Sequence, residues 1–169
     1  MERAWNHELV WDMKDSTKPT VPWSASPSAK AKNAVRRSVT ALLDELAPER
    51  VLTRVEHLPG TIEQHRTPNG CVLQTTSSAL SVSWHVDAGK DAALGELHVI
   101  LWRGVVARRG QTRDRKGATI ISELVLRPIE PLTDDCRWQA SDGSQYDSSS
   151  LAARCLSLLE EQVRASGES

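Results

Sequence analysis

The chain has 169 residues, of which 39% are apolar and 25% are charged, and its formal net charge is −1. These values are typical of one folded domain and exclude the low-hydrophobicity, high-charge compositions of disordered proteins. The small net charge also excludes a global field that would attract nucleic acid or an anionic membrane, so any such attraction must come from a local patch.

The cysteines and the N-terminal sequence bear on the compartment. Cys71, Cys136 and Cys155 lie far apart without a CxxC spacing, which predicts reduced thiols rather than a disulfide framework or a zinc site. The first residues carry an early acid and no apolar signal-peptide core, and no stretch approaches the roughly 20 apolar residues of a membrane span. We therefore expect a soluble, cytoplasmic protein with no membrane contact.

The first 28 residues are predicted to form an N-terminal segment and a tether. Apolar side chains in residues 2–13 recur near helical spacing, which indicates a short amphipathic segment that docks on the domain or on a partner. Residues 14–28 hold three prolines and many hydroxyl side chains, which favour extended or irregular backbone. Residues 29–166 are then expected to form a single α+β domain.

The domain is predicted to begin with a helix. Ser28 is a suitable N-cap, and Pro48 prevents the helix from continuing. The apolar positions between them recur at intervals of three and four, at Val35, Val39, Leu42, Leu43 and Leu46. Two short strand candidates follow, residues 51–58 and 61–66, each ended by turn residues.

From Cys71 the pattern becomes strongly β. Residues 80–87 alternate apolar and polar side chains, residues 88–95 contain two glycines and form a loop, and residues 96–102 form the next strand. Residues 105–109 are expected to extend that strand past Gly104 through a bulge.

The last third of the chain continues the sheet and ends in a helix. Residues 118–129 form a long β run with Ile120, Leu124 and Leu126 on one face, and residues 136–140 form a short edge strand. After a turn at Asp142 and Gly143, Asp147 or Ser148 caps the helix. Its apolar stripe is Leu151, Cys155, Leu158, Leu159 and Val163.

Two one-sided helices that bracket a one-sided meander bury their apolar surfaces most simply on the same face of the sheet. The predicted fold class is therefore α+β: an antiparallel sheet of five or six strands in a meander, with an N-terminal and a C-terminal helix packed on one face. This layout hosts unrelated functions in many proteins, so it does not identify one.

The most informative constellation depends on how two strands pair. If His85 lies opposite His98, then Trp84 lies opposite Val99, and apolar residues match along the whole core face. The outer face then places Asp87 beside Glu96 and the two imidazoles beside each other. Ser83 falls beside Ile100, and Ser81 falls beside Trp102.

Three interpretations of this polar face remain open. The imidazoles of His85 and His98 could share a divalent metal that Asp87 or Glu96 completes, or a carboxylate and an imidazole could perform acid and base work. Alternatively, these are ordinary polar residues on the wet face of a half-buried sheet. Ile100 and Trp102 on the same face indicate that part of it is covered by a loop, a ligand or another subunit.

A second feature is a basic segment, residues 103–117, which connects two strands and carries six cations and one acid. Such a hairpin tip could bind phosphates or enter a nucleic-acid groove, although it has no aromatic residue for base stacking. An acidic protein surface would fit it equally well, and plain solvation of the charges is the simplest alternative. The cations that would contact such a partner are Arg108, Arg109, Arg113, Arg115 and Lys116.

The sequence contains no phosphate-binding loop, nucleophile elbow, dinucleotide fingerprint or HExxH motif. We therefore expect a non-catalytic binding or protein-interaction module without a cofactor. Ile100, Trp102 and the basic residues are the binding candidates, and the partner is expected to be another protein or a second copy of the chain. The alternatives are nucleic-acid or phosphate binding through residues 103–117, and a small enzyme or metal site at His85 and His98.

Overall fold

The helices and strands are taken from a computed structural model that describes residues 27–54, 58, 62–86, 93–106, 117–129 and 136–167. The predicted amphipathic segment, residues 2–13, and most of the tether, residues 14–28, lie outside these ranges. In chain order the elements are α1 (Ala29–Glu45), α2 (Pro48–Arg54), β1 (Glu63–Thr67), β2 (Gly70–Gln74), β3 (Ser78–His85), β4 (Glu96–Arg103), β5 (Thr119–Ile129), β6 (Arg137–Ala140), β7 (Gln145–Tyr146) and α3 (Ser148–Ala165).

The strands form one antiparallel meander in which each strand pairs with its neighbours in sequence, in the order β1 to β7. This confirms the predicted α+β class and meander. The described residues contain seven strands where five or six were predicted. The additional strand, β7, has only two residues, which is too short to show an alternating pattern.

Both long helices lie on one face of the sheet, as predicted. α1 packs against α3, and α3 contacts β3 and β4. The five apolar residues that the sequence assigned to the first helix stripe are all 1% exposed or less. From the sheet, Leu80, Val82 and Trp84 of β3 and Leu97, Val99 and Leu101 of β4 enter the same core. The opposite face is covered by neither helix, and we call it the outer face.

The helix caps follow from local side chains. Ser28 accepts a hydrogen bond from the backbone N–H of Ala31, and Asp147 accepts one from that of Ser150 at 2.7 Å. The Ser150 hydroxyl oxygen in turn accepts a hydrogen bond from the backbone N–H of Asp147, which completes a capping box. These bonds lower the pKa of Asp147, and the main cause is the N–H of Ser150.

The Asp147 cap gives a first prediction. Asp147→Ala should lower the free energy of unfolding by about 1 kcal/mol, because the α3 N-terminus loses its acceptor. Since folding lowers the pKa of Asp147, its charged form stabilises the fold above the ordinary aspartate range, and this contribution disappears as the pH falls through the folded-state pKa. Urea unfolding at pH 7 and in acid measures both effects. Asp147→Asn, which keeps a neutral acceptor, should lack this pH dependence.

Two predicted strand segments are wrong. Residues 51–54, half of the first strand candidate, belong to α2, which begins at Pro48 because a proline in a first helical turn loses nothing by its missing N–H. β4 ends at Arg103 instead of running to residue 109. Beyond that point the N–H of Gly104 bonds the carbonyl of Ser77 at the β2–β3 turn. Residues 107–109 lie outside the described ranges.

The pairing of β3 with β4 also differs from the prediction, by two residues. His98 lies opposite Ser83, and His85 lies opposite Glu96. Trp84 lies opposite Leu97 rather than Val99. A shift of two keeps every side chain on its face, so apolar matching alone does not distinguish the two registers. Gly95 helps to set the observed one, because a Cβ there would lie 2.5 Å from the carbonyl oxygen of His85.

A β-bulge alters the face of one predicted core residue. Pairing between β4 and β5 shifts between Leu101, which faces Ser122, and Trp102, which faces Ile120. Ile121 is the extra residue, and Ile120 therefore joins Trp102 on the outer face instead of entering the core with Leu126. Ile120 is 51% exposed, whereas Leu126 is fully buried.

Cys71, Cys136 and Cys155 are free thiols, and all three are buried. Burial raises the pKa of Cys71 to about 11 and that of Cys155 to about 12. Thiols with such values are poor nucleophiles near neutral pH. Among the described helices, none is both long and apolar enough to cross a lipid bilayer.

Candidate functional site

The outer face of β3, β4 and β5 carries a compact group of polar side chains. Because alternate residues of a strand point to the same side, the polar residues of all three strands share the face opposite the helices. The group, which we call the histidine cluster, consists of Ser83 and His85 of β3, Glu96 and His98 of β4, and Glu123 and Arg127 of β5.

The two histidines meet although their predicted pairing is wrong. His85 and His98 are diagonal rather than direct cross-strand neighbours, and their ring centroids lie 4.8 Å apart in an edge-to-face arrangement with an interplanar angle of 78°. Nε2 of His85 is 3.0 Å from the hydroxyl oxygen of Ser83, two residues back on the same strand. The sequence thus identified the correct pair of imidazoles.

His98 lies between two carboxylates. Its Nδ1 is 2.9 Å from Oε1 of Glu123, and because a carboxylate only accepts hydrogen bonds, Nδ1 must carry the proton. Its Nε2 is 3.5 Å from Oε2 of Glu96, which is beyond the usual length of a hydrogen bond. The Glu123 contact therefore fixes the ring and directs Nε2 toward Glu96.

Glu96 is held from its other side by Arg127. Both Nε and one terminal nitrogen of Arg127 contact Oε1 of Glu96, at 2.8 and 2.7 Å. The hydrogen bond from Arg127 is the main cause that lowers the pKa of Glu96. Although its side chain is only 13% exposed, Glu96 is therefore a carboxylate at neutral pH, with Oε2 directed toward His98.

Within the described residues, no three histidine, cysteine or acidic side chains are placed to hold a metal ion together. In this cluster, Nε2 of His85 contacts the hydroxyl of Ser83, and Nδ1 of His98 contacts Glu123. Asp87, the other metal candidate from the sequence, lies outside the described residues. The geometry as it stands is an ion-pair and hydrogen-bond network.

A second feature is aliphatic and lies where β4 ends and β5 begins. Val105, Ile120 and Ile121 are 48%, 51% and 39% exposed. Ile120 lies opposite Trp102 in the sheet, and a Cβ at Gly104, just before Val105, would lie 3.2 Å from the Cα of Ala118. We call Val105, Ile120 and Ile121 the hairpin-root patch.

Hydrogen bonds hold the backbone and the Trp102 side chain next to this patch. The N–H of Val106 donates to Oε1 of Gln74, a buried side chain whose amide nitrogen donates to the carbonyl oxygens of Thr75 and Ser78. Beside the patch, the indole N–H of Trp102 donates to the Ser81 hydroxyl at 2.9 Å. The residues that neighbour the patch are therefore fixed by hydrogen bonds.

The structure describes only some of the predicted binding residues. Trp102 is on the outer face as expected, but it is 9% exposed and so is not itself a surface patch, and Ile100 beside it is half-buried. The five predicted basic contacts, Arg108, Arg109, Arg113, Arg115 and Lys116, lie outside the described residues. Arg103, at the end of β4, is exposed.

Sequence reasoning missed Glu123, Arg127 and Ile121. The first two alternate with Leu124 and Leu126 along β5, so the strand pattern could have assigned them to the outer face. Their neighbours could not be named without the β4–β5 register. Ile121 is exposed because of the bulge, and no residue in the sequence predicts a bulge at this position.

Two shallow pockets lie elsewhere on the surface, and one of them borders the histidine cluster at Arg127. One, of about 400 Å³, lies between α1 and the start of α3 and is lined by Arg37, Ser38, Cys136 and Asp147, among others. Its hydroxyl groups already serve the fold: Ser38 accepts from the N–H of Cys136, and Ser148 donates to the carbonyl of Ser38. The other, of about 360 Å³, is lined by Val125, Arg127, Gln139, Ala140 and Ser141.

Comparison with known proteins adds no identity to this geometry. No protein-family model matches the chain, and neither a curated protein nor a solved structure matches it significantly.

Proposed function

We propose that the chain is a non-catalytic protein-interaction module that binds a partner through the hairpin-root patch. The observation that carries this proposal is the exposure of three large aliphatic side chains, Val105, Ile120 and Ile121, where β4 ends and β5 begins. Contiguous exposed apolar surface beside polar residues is typical of protein-binding sites.

The rigid base beneath the patch supports this function. Val106 is tied to Gln74, Gly104 to Ser77, and Trp102 to Ser81. A surface that is already ordered loses little conformational entropy when a partner binds. Neither edge of the sheet offers a comparable site, because β1 has the polar sequence EQHRT and β7 has two residues.

Charge indicates the chemistry of the partner. Exposed Arg103 lies at the end of β4, and residues 107–116 contribute five more cations against one acid. The complementary partner is therefore a peptide segment that combines carboxylates with aliphatic side chains. The alternative proposal, nucleic-acid or phosphate binding through residues 103–117, is less well supported, because aliphatic side chains offer no stacking surface for bases.

The test uses a fluorescein-labelled synthetic peptide of alternating glutamate and leucine, with fluorescence anisotropy as the measurement. Ile120→Ser should weaken binding by about tenfold or more, because the partner then buries less apolar surface. Leu52→Ser is the matched control, since Leu52 on α2 is 54% exposed but lies away from the outer face. This control should bind as the unaltered chain does.

The peptide itself needs two controls. Replacing glutamate by lysine, or leucine by serine, should each reduce binding, because the proposal requires both charge and apolar contact. Equal binding by the Ile120→Ser and unaltered chains would contradict the proposal, and tighter binding of a single-stranded oligonucleotide would favour the nucleic-acid alternative. Sedimentation that shows a dimer dissociated by Ile120→Ser would replace the acidic partner with a second copy of the chain.

A further inference from the structure

We propose that His98, Glu96 and His85 form a binding site for a divalent transition ion of the zinc type, separate from the hairpin-root patch. His98 and Glu96 already face each other, and His85 must leave its contact with Ser83 to join them. Each step rests on a contact in the histidine cluster.

The distance between the first two ligands fits zinc. Nε2 of His98 and Oε2 of Glu96 are 3.5 Å apart, too far for a good hydrogen bond. Nitrogen and oxygen ligands bind tetrahedral zinc at about 2.0 to 2.2 Å, which places neighbouring ligand atoms roughly 3.3 to 3.6 Å from each other. An ion between these atoms would therefore bind both without any movement of the backbone.

Each of these ligands is already oriented by an outer partner. Glu123 accepts the Nδ1 proton of His98, so that Nε2 is directed toward Glu96, and a carboxylate behind the imidazole is a common support of zinc-binding histidines. Arg127 engages Oε1 of Glu96, which keeps Oε2 toward the site. The support comes from β5, a different strand from either ligand.

His85 supplies the third ligand. It lies directly opposite Glu96 in the sheet, and its ring is 4.8 Å from that of His98. Its Nε2 contacts only a neutral hydroxyl, that of Ser83, and its side chain is exposed enough to rotate. Rotation away from Ser83 would free this nitrogen to bind the ion, and water would complete the tetrahedron.

The test measures metal binding to the full chain after treatment with a chelator. Calorimetric titration with ZnCl₂ should give one ion per chain, and CoCl₂ should give a tetrahedral absorption spectrum without a thiolate charge-transfer band, because the cysteines are buried. His98→Ala should remove this binding. Glu123→Gln, which alters only the outer partner, should weaken it about 10- to 100-fold.

His65→Ala is the matched control, because His65 on β1 also lies beside a carboxylate, with Nε2 3.8 Å from Glu63. It should leave the affinity unchanged. Should His98→Ala fail to fold, as judged by circular dichroism, Glu96→Gln serves in its place and should also remove binding. The proposal is overturned if the unaltered chain binds no stoichiometric ion, or if His65→Ala loses as much affinity as His98→Ala.

Discussion

Gly95→Ala should lower the free energy of unfolding by about 2 to 5 kcal/mol, one of the largest losses expected from any single methyl group added to this chain. Gly95 has a φ of 87°, which an alanine adopts only with strain. The added Cβ would also lie 2.5 Å from both the carbonyl oxygen of His85 and Nε1 of Trp84. Both atoms belong to β3 and cannot retreat without disturbing the sheet. Urea unfolding followed by circular dichroism measures the loss.

Gly143→Ala separates the two causes. Gly143 has the same φ of 87°, but a Cβ there would meet nothing within 4 Å. The control should therefore cost only the backbone strain, about 1 kcal/mol. If the two variants were equally destabilised, close packing of Gly95 against β3 would not be what fixes the β3–β4 register.

Trp138→Ala should destabilise the fold by about 3 to 5 kcal/mol, the cost of truncating a large aromatic residue in a core. Trp138 is fully buried on β6, and it is the largest completely enclosed side chain among the described residues. Chemical unfolding, with near-ultraviolet circular dichroism to follow the packing of the aromatic rings, measures the effect.

Trp138→Phe should cost much less, about 1 to 2 kcal/mol, although it also reduces the ring. The reason is that the buried indole N–H of Trp138 has no hydrogen-bond partner in the described structure. Phenylalanine removes this unsatisfied donor while keeping most of the apolar contact. A loss as large as that of Trp138→Ala would show that the N–H is bonded after all.

The helical part of the fold could be predicted because its signals are local. The start of α1 follows from Ser28, and that of α3 from Asp147, since each caps its own helix within a few residues. Pro48 shows the limit of such signals, because a proline that ends one helix is equally suited to begin another. The strand predicted for residues 51–58 was wrong for this reason, because its first four residues lie in the helix that Pro48 begins.

Sheet register could be predicted only up to a shift of two residues. Val82 has an apolar partner in both registers, Leu101 in the predicted one and Val99 in the observed one, so the alternating pattern identifies the buried face but not the pairing. What decides between them is the close approach of Gly95 to β3, a contact that depends on three-dimensional packing.

The candidate sites, like the sheet register, could be predicted only in part. His85 and His98 were brought together correctly because diagonal neighbours are also within reach across a pair of strands. Glu123, which orients His98, comes from 25 residues further along the chain, and only the β4–β5 pairing places it there. The hairpin-root patch depends on a bulge, so the exposure of Ile120 contradicts its alternation with Leu124.

Because the three cysteine sulfur atoms are buried, their rate of alkylation reports how often the protein unfolds. In the native state, Cys71 and Cys155 are shielded from an alkylating reagent, and their raised pKa values keep them as unreactive thiols. Modification would then proceed only through molecules that have transiently unfolded, at a rate set by the fraction that is open. The extent of labelling over time would thus report conformational stability in dilute solution, without denaturant and without an attached probe.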